Sequence, residues 1–431
     1  MRLKISNFAK IRFGDIKVDG ITVIAGENNT GKSTVGKILY CFYNAFNNLE
    51  DQIIQNREEE VFRICRNYTV NLRKRALKGV YFTYLGDVRV LAHKVCSLEP
   101  EDFSVEVLTE IINETFNTND YDGEVISKQR IEELYERLKK SITIDHNRLK
   151  QELVFQFFDT NFASQIQTLK AVDETTSVSL EIKNHSIDIS FRNPDTIDIE
   201  DDIDIIHEAY FIDDPFIIDS LQLPVVRGLG DERWPKEFLL NKLRMSTESA
   251  NLFDAISAKD NIKEILALVN GIVPGKISSQ SGRWTLSSEH YDRPVDFNNL
   301  SAGLKSFVIL KMLLEKAILK EKDVLILDEP EIHLHPEWQI KYAEIVVLLQ
   351  TKFDLNIIVT THSRDFFEAI ELYSKKHGIS KKCNYYLARM EDGTSSFEDV
   401  TEDTTSVFRQ LIRPSALLDQ LRFSLEEDEN E

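Results

Sequence analysis

Eight consecutive residues, Gly26-Glu27-Asn28-Asn29-Thr30-Gly31-Lys32-Ser33, have the spacing GxxxxGK[ST]. A loop of this kind turns its backbone N–H groups inward around phosphate oxygens, and a helix that starts at its end adds a positive N-terminus. Glycine is needed where the backbone turns too tightly for a Cβ. The candidate nucleotide contacts are therefore Gly26, Asn28, Asn29, Thr30, Gly31, Lys32, Ser33 and Thr34. Lys32 is expected to reach the β and γ phosphates, and the Ser33 hydroxyl to ligate Mg²⁺. A second signal, Val324-Leu325-Ile326-Leu327-Asp328-Glu329, places two carboxylates at the end of an apolar run. Asp328 is expected to hold Mg²⁺, directly or through water, and Glu329 to act as general base on an attacking water.

Two weaker signals complete the set. Leu300-Ser301-Ala302-Gly303 precedes a helical stretch shortly before the paired carboxylates. Ser301 is a good N-cap, and the helix N-terminus behind it favours anions. Ile357-Ile358-Val359-Thr360-Thr361-His362-Ser363 is a strand running out into a histidine that can contact a γ-phosphate or the attacking water. Read alone, these are a capped helix and a polar residue at a strand end. Their order and spacing between and after the phosphate loop and the carboxylates raise them to site candidates.

The surrounding pattern supplies the elements that must carry these groups. The apolar run ITVIAG leads into the phosphate loop, and Val35, Ile38, Leu39, Phe42 and Phe46 follow at helical spacing. This gives the first part of an α/β head, residues 1–48. Residues 49–169 read as a largely helical insertion, with stripes at Leu108, Ile111, Ile112 and Phe116 and at Ile131, Leu134, Leu138 and Ile142. No long heptad array persists, so no long coiled-coil arm is expected. Residues 170–250 read as a mixed α/β segment, with SVSLEIKNHSIDISF alternating as a hairpin does. Residues 251–420 return to alternating strands and helices, and 421–431 form an acidic tail expected to lack structure.

Composition narrows the class. The net charge is −20, from 52 Lys and Arg against 72 Asp and Glu, which argues against a uniformly basic nucleic-acid surface. No stretch is long and apolar enough for a membrane span, and the start MRLKISNF does not read as a secretion signal. Cys41, Cys65, Cys96 and Cys383 lie far apart and form no CxxC pair, as expected of reduced thiols in a cytoplasmic protein.

The four signals, in this order, resemble the ABC-type ATPase head, and more narrowly its SMC/RecF/OLD branch. GENNTGKST is similar to that branch's phosphate loop, LILDEPEIHLHP to its carboxylate strand and following loop, and VTTHS to its switch strand. The resemblance covers residues 1–46 and about 296–370. It implies an α/β fold of the P-loop NTPase kind, with a mixed sheet flanked by helices, and the cofactors ATP and Mg²⁺. It also implies ATP held between two copies of the chain. Lys32, Ser33, Asp328, Glu329 and His362 would then act in cis, and Ser301 and Gly303 would touch the γ-phosphate in trans. His333 and His335 lie in EIHLHPEWQ, which resembles the branch's dimer-contact loop rather than a metal site. One departure stands out. The segment Tyr210-Phe211-Ile212-Asp213-Asp214-Pro215 is the candidate for the loop that usually carries a Mg²⁺-sensing glutamine, and it has none.

Relatives of OLD type often add a C-terminal nuclease, for which the stretch after the switch histidine is too short, so no nuclease activity is expected. Two readings of the output remain. In the first, the chain is a homodimeric or higher homo-oligomeric ATPase switch controlling a separate effector, a nuclease or toxin. It then resembles the ATPase subunits of bacterial anti-phage systems of the Septu and PARIS kind. In the second, it is a RecF-like DNA repair or maintenance ATPase. Arg57, Arg63, Arg66, Arg73, Lys74, Arg75, Lys78, Arg89 and Lys94 face four acids between Arg57 and Lys94, with Tyr68, Tyr81 and Tyr84 among them. Such a patch could bind nucleic acid, or it could be a solvated helix face.

Overall fold

Strands that are buried at every position belong in the interior of a sheet covered on both faces. Ile21–Gly26 and the four residues before Asp328 are of this kind, and all are buried. A computed structural model of the chain describes residues 1–69, 73–74, 82–116, 121–122, 127–168, 175–193, 196–200, 203–222, 233–245, 252–280 and 282–428. It divides into two compact units, Met1–Asn47 with Val154–Glu431, and Asn48–Leu153.

The first unit opens with β1 (Arg2–Phe8), β2 (Ile11–Lys17) and β3 (Ile21–Gly26), and passes through the phosphate loop into α1 (Lys32–Ala45). The second unit holds α2 (Leu49–Thr69), β4 (Arg73–Lys74), α3 (Phe82–Cys96), α4 (Val105–Thr115), β5 (Tyr121–Asp122) and α5 (Lys128–Ile142). Its core joins the two leucine–isoleucine stripes of α4 and α5 to Val61, Val88, Leu91 and Val95. Helix α6 (His146–Phe162) starts in this unit and ends in the first.

That division differs from the expected end of the insertion at 169. The reason is aromatic packing. Phe158 and Phe162 on α6 lie against Phe8 of β1, and Phe158 also meets Phe42 of α1 and Phe191. Burying three or four such rings outweighs the local helical pattern that made this stretch look like more insertion.

The first unit continues with β6 (Thr176–Ile182), β7 (His185–Asn193), β8 (Thr196–Glu200), β9 (Ala209–Ile212), α7 (Pro235–Arg244), α8 (Leu252–Ile272) and a small sheet of β10 (Lys276–Gln280), β11 (Arg283–Ser287) and β12 (Val295–Asp296). The last part is α9 (Ala302–Glu315), β13 (Val324–Asp328), α10 (Pro336–Phe353), β14 (Asn356–Thr361), α11 (Arg364–Lys376), β15 (Cys383–Glu391), β16 (Thr394–Asp399) and α12 (Thr405–Asp428). Leu425–Asp428, within the tail expected to lack structure, is helical. Leucine and glutamate favour helix, and no glycine or proline follows Pro414 to stop it.

The main sheet has eleven strands in the order β8-β7-β6-β1-β2-β16-β15-β3-β14-β13-β9. Its centre, β15-β3-β14-β13-β9, is parallel, and the β8-to-β2 side is antiparallel. This is the mixed α/β sheet flanked by helices that the sequence implies. The parallel centre aims the C-terminal ends of β3, β13, β14 and β9 the same way, where open α/β sheets place their ligands. Helix α9 is buried nearly throughout, lysines included. Lys305 Nζ sits 2.6 Å from both carboxylate oxygens of Asp219, and Lys311 Nζ donates to the carbonyls of Val273 and Gly275. These partners offset the cost of burying two charges.

Among the described residues, no helix is long and apolar enough to cross a membrane.

Candidate functional site

The phosphate loop joins β3 to α1. Gly31 stands at the N-cap of α1 with φ of 80°, a backbone state that favours glycine. Thr30 Oγ1 donates to the Glu27 carbonyl at 2.8 Å, which braces the loop from inside. Asn28 is exposed at the tip, and Asn29 Oδ1 accepts from Lys10 Nζ. A cleft of 290 Å³ runs along the loop, lined by Asn29, Thr30, Gly31, Lys32, Ser33 and Thr34 together with Ala9, Lys10, Gln165 and Glu329. Gly26 ends β3 behind it. Lys10 and Gln165 were not legible as site residues, because only the packing of β1, β2 and the end of α6 brings them to the loop.

Lys32 is only 3% exposed. Its Nζ donates to the Glu27 carbonyl at 2.8 Å, and lies 2.9 Å from His362 Nε2 and 3.7 Å from Glu329 Oε1. His362 Nε2 is also 2.6 Å from Glu329 Oε1. Three side chains from β3–α1, β13 and β14 thus converge on one point. Burial lowers the Lys32 ammonium below its ordinary value against the pull of Glu329 and Asp328. Burial, followed by the charge of Lys32, lowers the His362 imidazole as well, which favours a neutral ring.

Strand β14 holds the carboxylates in place. Thr360 Oγ1 donates to Asp328 Oδ1 at 2.6 Å and accepts from the Glu329 backbone N–H at 3.0 Å. Glu329 has φ of 50°, an uncommon state for a residue with a long side chain. Strain of this kind persists where the surroundings impose it, often at active sites.

The segment without a glutamine is placed by sheet pairing. Strand β9 lies beside β13 with Ile212 opposite Leu327, so Asp213 and Asp328 leave adjacent strands side by side. Both line one cleft with Glu329, His333 and Tyr342. Desolvation in that cleft, then the charge of Asp328, holds the Asp213 carboxyl above its usual range. Lys37, one turn beyond Ser33 on the same face of α1, opposes this. Asn44 fixes α1 against β9 by exchanging two hydrogen bonds with the Ala209 backbone.

Among the described residues, no three His, Cys, Asp or Glu side chains converge as a self-sufficient metal site. Mg²⁺ in nucleotide sites needs only one or two protein carboxylates, with phosphate and water supplying the rest. Asp328 and Asp213, side by side at the ends of adjacent strands, offer carboxylate oxygens of the kind this needs. His335 is committed elsewhere, since its Nδ1 caps α10 at the Glu337 N–H.

Ser301 and Gly303 do not line the phosphate-loop cleft. Ser301 caps α9, accepting from the Leu304 N–H, and is exposed. Gly303 packs against the loop after the carboxylates, where an added Cβ would lie 2.8 Å from the His333 carbonyl. Gly303→Ala must therefore push the two segments apart. The expected outcome is at least a tenfold loss of ATP hydrolysis with ATP affinity within about threefold of the unmodified chain, a split in which each factor of ten is about 1.4 kcal/mol. Paired steady-state and equilibrium-binding measurements check it.

Together, a parallel strand–phosphate loop–helix unit and two strand-end carboxylates beside β14 define a nucleotide site of the P-loop ATPase kind. The chain matches the family described as AAA ATPase domain over residues 1–367, and belongs to it. ATP binding and hydrolysis are the activities this family membership carries. Solved structures similar to this chain include the SMC head domain from Thermotoga maritima, with 11% identity, 93% of this chain and 98% of that chain covered, and a TM-score of 0.39. Another is the Smc head domain with an extended coiled coil bound to the C-terminal domain of ScpA, derived from Pyrococcus furiosus, with 11% identity, 96% and 98% covered, and a TM-score of 0.41.

Proposed function

We propose that the chain is a nucleotide switch that holds ATP and Mg²⁺ between two copies of itself, hydrolyses the ATP, and through that cycle controls a separate effector protein. The observation that carries this reading is the convergence of Lys32, Glu329 and His362, with contacts of 2.6–3.7 Å, at the strand ends beside the phosphate loop. Lys32 and the loop N–H groups hold the phosphates. Glu329 takes the proton of the attacking water, and His362 Nε2 orients that water or the γ-phosphate. Ser301 and Gly303, remote from the cleft of their own protomer, serve the site of the other. Bound Mg²⁺ would offset phosphate charge, held by Ser33 and Asp328.

The composite site has a direct test. Lys32→Ala and Ser301→Arg chains, each inactive alone, should recover hydrolysis when mixed, because a mixed dimer has one intact site. No recovery on mixing, with both chains folded, counts against sharing.

We also assign Asp213 to the metal corner, in the place a glutamine usually takes. Asp213→Ala is expected to weaken Mn²⁺ binding to the ATP complex about tenfold, as loss of an outer metal partner does. Asp213→Gln should retain most of it. Electron paramagnetic resonance of free Mn²⁺ measures this without turnover, and an unchanged titration would remove Asp213 from the site.

Support for an effector comes from α12, where Leu417, Leu418, Leu421 and Leu425 are each 55–57% exposed. A run of exposed leucines of this size is unusual without a partner. Purification of the chain from its native source, with and without ATP, tests the point, and a chain that functions with nothing bound would sink it. Direct nucleic-acid binding has less support. Arg63 pairs with Glu60, Lys94 pairs with Glu114, and Arg89 lies over the Phe62 ring, while Arg75 and Lys78 fall outside the described residues.

A further inference from the structure

Glu331 has no part in the chemistry above, yet it is a carboxylate only 5% exposed. One oxygen, Oε1, accepts three hydrogen bonds, from Thr361 Oγ1 at 2.6 Å, the His362 N–H at 2.8 Å and the Ser363 N–H at 3.2 Å. Strand β14 ends at Thr361, so Glu331 takes over the backbone donors that the sheet no longer pairs. The other oxygen is buried with no hydrogen-bond partner. A carboxylate in that state costs stability, and a well-packed apolar side chain would cost less if packing were its only task.

A second strap runs beside it. Gln339 on α10 accepts from Ser363 Oγ at 2.5 Å, and donates to the carbonyls of Leu334, at 3.1 Å, and Glu331, at 3.4 Å. The loop from Glu331 to Leu334 is therefore clipped twice to the turn that carries His362. Its far side meets Gly303 at the start of α9 with no room for a methyl group. A shift of the His362 backbone can therefore reach the N-terminus of α9 through these contacts.

We infer that Glu331 is the positioning residue of His362, and that Glu331 and Gln339 together carry the nucleotide state from the switch turn to the loop Ile332–His335 and so to the face that a second copy meets. This rests on the nucleotide-switch reading. Energetic coupling of this kind needs an element that both sites bias, and the clipped loop is that element.

Amide hydrogen exchange tests it, read at His362–Ser363 and at Ile332–His335, with and without ATP, together with ATP-driven dimerisation by sedimentation. In the unmodified chain, ATP should slow exchange at both places. Gln339→Ala changes a half-buried residue and is expected to fold. It should keep ATP affinity within about twofold and protection at His362, lose protection at Ile332–His335, and weaken dimerisation about tenfold, inside the usual range for linked sites. Glu331→Gln keeps one acceptor oxygen in place and should lower kcat with KM nearly unchanged. If ATP protects both segments of Gln339→Ala as in the unmodified chain and dimerisation is unaltered, the strap carries no signal. If ATP binds neither chain, the nucleotide reading itself fails, a separate and distinguishable result.

Discussion

Lys32→Ala should abolish measurable ATP binding. The ammonium is held among the Glu27 carbonyl, His362 and Glu329, pointing where a phosphate would offer better partners. Two charge-assisted hydrogen bonds at about 1.5–3 kcal/mol each correspond to about 100-fold or more in affinity. The fold should survive. The lost side chain relieves the burial that already lowers the Lys32 ammonium, and Glu329 keeps its His362 contact. Fluorescent-nucleotide titration, with a melting curve as control, decides the matter, and affinity within threefold of the unmodified chain would remove Lys32 from the site.

Glu329→Gln should do the opposite, leaving binding intact and stopping turnover. Glutamine has nearly the same shape and keeps an oxygen toward His362, but it cannot take a proton from water. General-base removal is expected to cost about 10²–10⁴-fold in kcat. With hydrolysis blocked, the ATP-bound pair of chains should persist long enough to appear as a dimer in sedimentation. A normal rate in this variant would move the base elsewhere, with His362 next in line because its Nε2 lies 2.6 Å from Glu329 Oε1.

How far the sequence leads depends on whether a feature is local. The phosphate loop, the VLILDE strand and the VTTHS strand are each complete within a few residues, and the α/β class follows from their apolar runs. Asp213 is different. In sequence its segment stands out only by lacking a glutamine, and it comes beside Asp328 because β9 pairs with β13, a partner that nothing near residue 213 announces. Glu331 and Gln339 act largely on backbone atoms, which leave no pattern in residue types. Helix α6 is a related case. Residues 146–162 read as helix, but nothing in that stretch shows that Phe8 and Phe42 lie against its end. In the basic stretch from Arg57 to Lys94, sequence counts charges but does not show which are paired, as Arg63 is with Glu60 and Lys94 with Glu114.

The left-handed backbone of Glu329 has a bearing on how this protein can change over generations. A glycine or asparagine would suit that backbone better, by about 1 kcal/mol. Random drift toward a sturdier chain and selection for turnover therefore pull position 329 in opposite directions, as they do at many active sites. If Glu329 is the general base, copies released from the need to hydrolyse ATP have a downhill path there, toward a more robust protein that binds nucleotide and no longer turns it over.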